Sequence, residues 1–378
     1  MTSRTTLRVL VALLSLAATV LALEVPAYLG WIDWSDPVGL PHALRFTRLK
    51  PWDNPANVRD EELLFRHRPN SRFAGETPGD LVLLLGIATD RRYALDVAFD
   101  ENGFRNPPGR TRADVVLIGD SFLEAGLVPF EETVPARLEA ALAAPVANLA
   151  CSGYGPQQER IVLERYGVPR RPKAVVWFFF EGNDLIDVGR YEEARRTGGM
   201  DPQRTRFRAR SLAANLARRV GLLFERPRRE DAEEARRRRG VFRRGPEPVS
   251  LYFAYAAQPL TEEDRVHLER TQAILRDADR ITREAGARFL LAFAPTKFRV
   301  YEGLVDFEPG ALCAGWRGNE LPGLLEAFAG EAGIDWLDLT PVLRAAAERG
   351  ELVHFEDDGH WSPRGNAVVA EAVGERLR

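Results

Sequence analysis

Val115-Val116-Leu117-Ile118-Gly119-Asp120-Ser121-Phe122 is a four-residue aliphatic run that breaks into a glycine, an acid and a serine. A short apolar run bounded by turn residues reads as a strand buried on both faces. Four more such runs follow at 146–150, 174–180, 289–293 and 334–339, with amphipathic stretches between them. Val134, Leu138, Ala141 and Leu142 keep helical spacing behind Thr133, an N-cap candidate, and Pro135 is tolerated in a first turn. Leu268, Leu275, Ala278 and Ile281 mark a longer helix, and Ser362-Pro363 opens a last one with Val369, Val373 and Leu377 on one face. Strands alternating with helices predict an α/β fold. The economical form is a flavodoxin-like three-layer α/β/α sandwich around a five-stranded parallel sheet. Ligands of such sheets bind beyond the carboxyl ends of the strands, which is where Ser121 stands.

Outward from that core, 378 residues exceed the usual size of one domain but suit an α/β unit of about 200–250 residues with additions. An apolar fraction of 45% with 28% charged residues belongs to a chain that buries a core. The net charge of −3 implies no general attraction to nucleic acid, and no nucleic-acid partner is expected. Cys151 and Cys313 allow one bridge at most and exclude a multi-cysteine metal site. His42, His67, His267, His354 and His360 lack metal-type spacing, so neither a metal nor a cofactor is predicted.

Residues 1–30 read as a signal anchor or signal peptide, because Arg4 and Arg8 precede an uncharged apolar run at 9–23. Val25-Pro26-Ala27 is a poor cleavage site, which favours a retained anchor over a removed signal. In either case an extracytoplasmic location, periplasm or cell envelope, is expected. Residues 31–112 read as an accessory segment with β structure, in which 81–85 and 93–99 pair as strands ahead of the turn Asp100-Glu101-Asn102-Gly103. Residues 113–378 hold the sheet, interrupted by an Arg-rich insertion at about 190–250. Between Arg190 and Arg244 there are 18 Arg against 8 Asp or Glu, including Arg236-Arg237-Arg238-Arg239. Such charge reads as a solvated insertion. The sharper alternative is a cap over the site, or a surface for anionic lipid or polysaccharide built on an amphipathic helix at 211–224.

The chemistry lies at the ends of the predicted strands. Ser121 follows the first, where a helix N-terminus can favour negative charge. The second runs into Cys151-Ser152-Gly153-Tyr154, and the third into Glu181-Gly182-Asn183-Asp184. A glycine there lets a backbone N–H approach a substrate, and an asparagine amide adds a directed donor for an oxyanion. Asp357-Asp358-Gly359-His360-Trp361 lies between the last strand and the last helix, and an acid two or three positions before a histidine can fold back onto its Nδ1–H. That leaves Nε2 to take a serine proton. No glycine-rich phosphate loop follows the first strand, which argues against a nucleotide-binding module.

The ordered set Gly119-Asp120-Ser121, Gly153, Gly182-Asn183-Asp184 and Asp357-Asp358-x-His360 resembles the four blocks of the SGNH/GDSL hydrolases over about residues 113–378. The resemblance implies Ser121 as nucleophile, His360 as its base, and an oxyanion hole made of the N–H groups of Ser121 and Gly153 with the side chain of Asn183. Family members place the orienting aspartate two or three residues before the histidine. Both Asp358 and Asp357 therefore qualify, and the His-Trp context favours Asp358. Ala294-Pro295-Thr296-Lys297 with Val300-Tyr301 and His360-Trp361 is similar to exported bacterial SGNH-like proteins, including those of alginate O-acetylation. The resemblance implies an exported serine esterase that hydrolyses acyl, foremost acetyl, esters through an acyl-serine. Its partners would be an ester-bearing small molecule or polysaccharide, and the membrane through the N-terminal segment. The alternatives are an O-acetyltransferase of extracellular polysaccharide and a catalytically silent carbohydrate-binding or scaffold protein.

Overall fold

The computed structural model of the protein describes residues 4–29, 31, 32, 34, 57–198, 210–224, 229–255 and 259–378. Most of the Pro- and Trp-rich start of the accessory segment, at 35–56, and the parts of the Arg-rich insertion at 199–209 and 225–228 lie outside the described residues.

Helix α1 (Arg4–Tyr28) is exposed along its apolar length, and residues 6–28 are long and apolar enough to cross a membrane. Next come the antiparallel pair β1 (Asn57–Asp60) and β2 (Leu64–His67), then β3 (Arg72–Thr77), helix α2 (Asp80–Leu85) and β4 (Tyr93–Ala98). The expected strand at 81–85 is therefore a helix, and β4 pairs with β3, Tyr93 opposite Thr77. A short apolar run does not reveal its period. Here Leu81 and Leu85, one turn apart, are both buried while Leu84 is 65% exposed, and left-handed Gly86 ends the helix by donating its N–H to the Val82 carbonyl.

The five expected strands are present as β5 (Val115–Ile118), β6 (Val146–Asn148), β7 (Ala174–Phe180), β10 (Arg288–Ala294) and β12 (Asp335–Asp338). Between β7 and β10 lie β8 (Arg239–Phe242) and β9 (Val249–Tyr252), and β11 (Val305–Phe307) precedes β12. The core strands are hydrogen-bonded in the order β6-β5-β7-β10-β12, every pair parallel. That is the flavodoxin-like order, whose reversal point falls between β5 and β7.

The remaining helices are α3 (Ser121–Glu124), α4 (Val134–Leu142), α5 (Pro156–Val162), α6 (Asp184–Thr197), α7 (Leu212–Phe224), α8 (Arg229–Arg237), α9 (Glu262–Glu284), α10 (Lys297–Tyr301), α11 (Leu321–Ala332), α12 (Thr340–Glu348) and α13 (Pro363–Leu377). Side chains alternate across the sheet with the two-residue period of a strand. Leu117, Val176, Phe178 and Leu290 meet Leu138 of α4, Leu343 of α12 and Val373 of α13. Val116, Val175, Trp177 and Leu291 meet Val162 of α5, Leu275 of α9 and Leu325 of α11. Leu63 and Phe65, from the segment before the sheet, join that second layer with no exposed surface.

Ser362 caps α13 by accepting the Gly365 N–H at 3.2 Å. Thr133 occupies the cap position of α4, but its hydroxyl donates to the Phe130 carbonyl at 2.7 Å, so the expected side-chain cap is not made. Cys151 and Cys313 are free buried thiols on opposite sides of the sheet, which rules out a bridge between them. The insertion contains α7, α8 and the hairpin β8–β9, which β11 extends to a three-stranded antiparallel sheet. Its charge run is largely engaged within the protein. Arg237 and Arg238 pair with Glu234, Arg239 with Glu308, and Arg238 also lies over the Trp316 ring.

Candidate active site

The main chain leaves β5 at Ile118 and turns through Gly119, where a Cβ would press on Leu123 and Phe178 at 3.1 and 3.3 Å. Asp120 then caps the single turn of α3, its Oδ1 accepting the Phe122 N–H at 3.0 Å. This holds Ser121 at the carboxyl edge of the sheet, at the reversal point. Ser121 Oγ lies 2.8 Å from His360 Nε2, and His360 Nδ1 lies 2.7 Å from Asp358 Oδ1. Asp358 also accepts the backbone N–H of His360, at 2.8 Å, so one carboxylate fixes both the turn and the ring. Asp357 faces elsewhere: its Oδ1 accepts the hydroxyl of Tyr93, from β4.

The three donors that the resemblance assigns to an oxyanion come from three strand ends. Ser121 is the first residue of α3, Gly153 follows β6 with φ +84, and Asn183 precedes α6. The left-handed backbone at position 153 is one that L side chains rarely adopt. Asn183 Nδ2 donates to Asp187 Oδ2 at 2.7 Å, which orients the amide. These residues line one cleft of 570 Å³ together with Asp80, Ser152, Ile186, Arg190, Tyr255, His360 and Trp361. The arrangement can transfer a proton from Ser121 Oγ to His360 and place N–H groups around the carbonyl oxygen of a bound ester.

Burial disfavours a charged imidazole at His360, but the carboxylate of Asp358 and then those of Asp80 and Asp120 outweigh it and hold its pKa above the ordinary 6.5. Asp358 is correspondingly lowered: burial works against its charge, and His360 prevails. The stability from this pairing is complete between pH 3.8 and pH 6.5; it is lost as pH rises through the folded-state pKa of His360 and as pH falls through that of Asp358.

Beneath the site, buried acids crowd together. Neither carboxylate oxygen of Glu159, on α5, has a hydrogen-bond partner among the described residues. Burial, with Asp120 and Asp187 nearby, pushes its carboxyl well above 4.5. Such a group keeps in the fold a proton that the unfolded chain releases above pH 4.5. Stability therefore falls as pH rises from there to the folded-state pKa, by up to about 1.4 kcal/mol per pH unit. Glu159→Gln, neutral at every pH, is expected to flatten the decline in melting temperature between pH 5 and pH 8 and to raise Tm at pH 8. Thermal denaturation of both proteins at the two pH values checks this, and equal slopes would contradict it.

Two clusters gather metal-capable atoms within 4.8 Å of one another: His67, Glu124 and Cys151, and Asp80, Asp358 and His360. In the first, His67 Nε2 bonds to Glu124 Oε2 at 2.9 Å and Nδ1 to Asn57 Oδ1 at 2.6 Å. Both bonds are made when both ring nitrogens carry hydrogen. Burial opposes that charge, but Cys151 and Glu124 raise the His67 pKa well above 6.5. Glu124 Oε2 also accepts the Ser152 N–H at 2.6 Å, so this ion pair ties the loop that carries Gly153 to α3. In the second cluster, His360 Nδ1 is already engaged by Asp358.

Sequence reasoning missed His67, Glu124 and Asp80, which lie in no motif. Lys297 lies in the stretch Ala294-Pro295-Thr296-Lys297, but its task emerges only from the structure. Its ammonium donates to the carbonyls of Phe355, Glu356 and Asp358 at 2.6, 2.8 and 3.3 Å, clamping the turn that presents His360. Thr296, beside it, donates its N–H and hydroxyl to Glu181, which binds the loop after β7 to the same support.

Residues 251–378 match the family described as the SGNH hydrolase-like domain of the acetyltransferase AlgX. Residues 251–378 of the chain are thus similar to an SGNH hydrolase-like domain. The matched stretch of this domain includes Asp358 and His360, while Ser121, Gly153 and Asn183 precede it. A protein described as probable alginate O-acetylase AlgJ from Pseudomonas aeruginosa is 36% identical over 112 residues, 29% of this chain and 27% of the relative. The protein of the same description from Pseudomonas syringae pv. tomato is 34% identical over 93 residues, 24% and 22% of the two chains. The chain thus spans about a quarter of the length of the curated relatives it matches. Among solved structures, a G-D-S-L family lipolytic protein from Desulfitobacterium hafniense aligns over 69% of this chain and 97% of its own, with 16% identity and a TM-score of 0.38. The acetyl xylan esterase AlAXEase aligns over 70% and 99%, with 11% identity and a TM-score of 0.39.

Proposed function

We propose that this SGNH-like chain is a serine enzyme of ester chemistry that carries an acyl group, foremost acetyl, on Ser121. The observation that carries the reading is the unbroken chain Ser121 Oγ, His360 Nε2, His360 Nδ1, Asp358 Oδ1, with bonds of 2.8 and 2.7 Å in the lining of a cleft. In the first half-reaction Ser121 Oγ bonds to the acyl carbon while its proton passes to His360 Nε2. The oxyanion receives the N–H groups of Ser121 and Gly153 and the Asn183 amide. The tetrahedral centre then expels the alcohol, which takes the proton back from His360. In the second half-reaction water attacks the acyl-serine by the same route and releases the acid. A sugar hydroxyl in place of water would make the enzyme an O-acetyltransferase, a reading favoured by the similarity over 112 residues to proteins named alginate O-acetylases. Helix α1 supports export and attachment of the site to a membrane.

Full-length protein, fractionated into membrane and soluble parts, is assayed with p-nitrophenyl acetate and with acetylated polysaccharide, with and without an unacetylated polysaccharide acceptor. Turnover in the extracytoplasmic membrane fraction is expected. Acetate release alone marks hydrolysis, and acetyl appearing on the acceptor marks transfer. No turnover of any acyl ester in any fraction would refute the reading.

Asn183 gives a graded test. Removing one oxyanion donor costs about 10²–10³ in kcat in a comparable site. Asn183→Ala is expected to lose that much while its thermal unfolding matches the wild type. A loss below tenfold would place the donor elsewhere.

A further inference from the structure

Gly79 and Asp80, at the start of α2, lie against the turn that presents His360. The Gly79 α-carbon is so close to the Asp357 carbonyl oxygen that a Cβ would overlap it, and this contact brings the next residue into register with Asp358. The Asp80 N–H donates to Asp358 Oδ2 at 2.8 Å, and Asp80 Oδ1 accepts the Gly359 N–H at 2.7 Å. Asp80 Oδ2 stands 4.0 Å from His360 Nδ1, and about a third of the Asp80 side chain reaches the cleft (36%). Asp358 thus has one oxygen on His360 and the other on Asp80, while Gly359 between them is held by the Asp80 carboxylate.

We propose that Asp80 is a positioning residue of the acid–base pair, clasping the turn from Asp358 to His360 from outside the sheet and adding a second negative charge beside the imidazole. The proposal rests on the ester-chemistry reading of the site. The backbone donor fixes which Asp358 oxygen faces His360, and the Asp80 side chain holds the turn; burial and the Asp358 carboxylate push the Asp80 carboxyl up to about 7, so it favours the charged ring above that pH, where it is ionised. The other charged groups around the imidazole are Asp358 on its own turn and Asp120 at the end of β5. Lys297 of α10 sits beneath the turn carbonyls, and His354 is buried beside them. Asp80 is the member of this set contributed by the segment that precedes the sheet.

Asp80→Asn keeps an oxygen for the Gly359 N–H and removes the charge. A charge about 4–6 Å away shifts a pKa by about 1–3 units, and partial exposure of Asp80 puts the expected effect near the lower end. The acidic limb of the kcat/KM–pH profile for p-nitrophenyl acetate is therefore expected to move down by about one pH unit. The NMR titration of the His360 ring is expected to move with it. Asp80→Ala, which also frees the turn, is expected to lower kcat by about ten- to a hundredfold with little change in KM.

An unchanged His360 titration in Asp80→Asn overturns the proposal, as does a limb that shifts without the ring. If Asp80→Ala does not fold, the isosteric variant alone decides. If the wild type turns over no ester, the functional reading falls by itself, and the ring titration still decides whether Asp80 holds and charges the pair.

Discussion

Ser121→Ala and His360→Ala are each expected to reduce ester turnover below detection, with circular dichroism spectra like that of the wild type. A serine hydroxyl is a weak nucleophile until a base takes its proton, and Nε2 of His360 is the base within hydrogen-bond distance of Oγ, at 2.8 Å. Removing either partner disables both half-reactions, because the same imidazole activates the serine and later the water or sugar hydroxyl. Residual activity of a few per cent in both variants would mean that the turnover belongs to another site. A covalent serine probe that labels the wild type and spares Ser121→Ala ties any measured activity to this position.

Asp358→Asn is expected to lower kcat by about 10⁴, the cost of a wrongly tautomerised histidine in a comparable triad, whereas Asp357→Asn is expected to cost less than tenfold. The asymmetry follows from where the two carboxylates point. Asp358 Oδ1 takes the ring and backbone N–H groups of His360, and Oδ2 takes the Asp80 N–H. Asn at 358 would present an NH₂ group to one of these donors, or force the neutral ring into the tautomer that cannot accept the serine proton. Asp357 instead accepts the Tyr93 hydroxyl, which an amide oxygen can also do. Equal losses in kcat from the two substitutions would contradict this assignment.

Two adjacent acids in a turn look alike in one dimension, and the sequence leaves both open. Their separation is a matter of side-chain direction, which the packing of Gly79 and Tyr93 against the turn decides. The inner core strands were legible because a strand buried on both faces leaves an unbroken apolar run, as at residues 174–180, where every side chain is buried, whereas β12 at the sheet edge, Asp-Trp-Leu-Asp and half-buried throughout, shows only as the flanking Ile334 and Leu339 with Trp336 and Leu337 between them. The α2 helix was not, because Leu81 to Leu85 is equally apolar and only its burial at one-turn spacing separates the two readings. The glycine, asparagine and histidine of the cleft could be found because each follows a strand or precedes a helix recognisable by itself. The supports of the site could not. His67 reaches Glu124 across 57 positions and Asp80 reaches Asp358 across 278, and neither pair leaves a local pattern.

The ion pair between His67 and Glu124 has a consequence for anyone transplanting this site into another protein. A cut made just ahead of β5 would keep every strand of the parallel sheet and all of Ser121, Gly153, Asn183, Asp358 and His360. It would also take away the histidine that pairs with Glu124, the residue that holds the Ser152 loop, and uncover the apolar layer that Leu63 and Phe65 fill. The portable unit is set by charge balance rather than by the edge of the sheet. It begins no later than Asn57, whose amide oxygen receives the other nitrogen of His67.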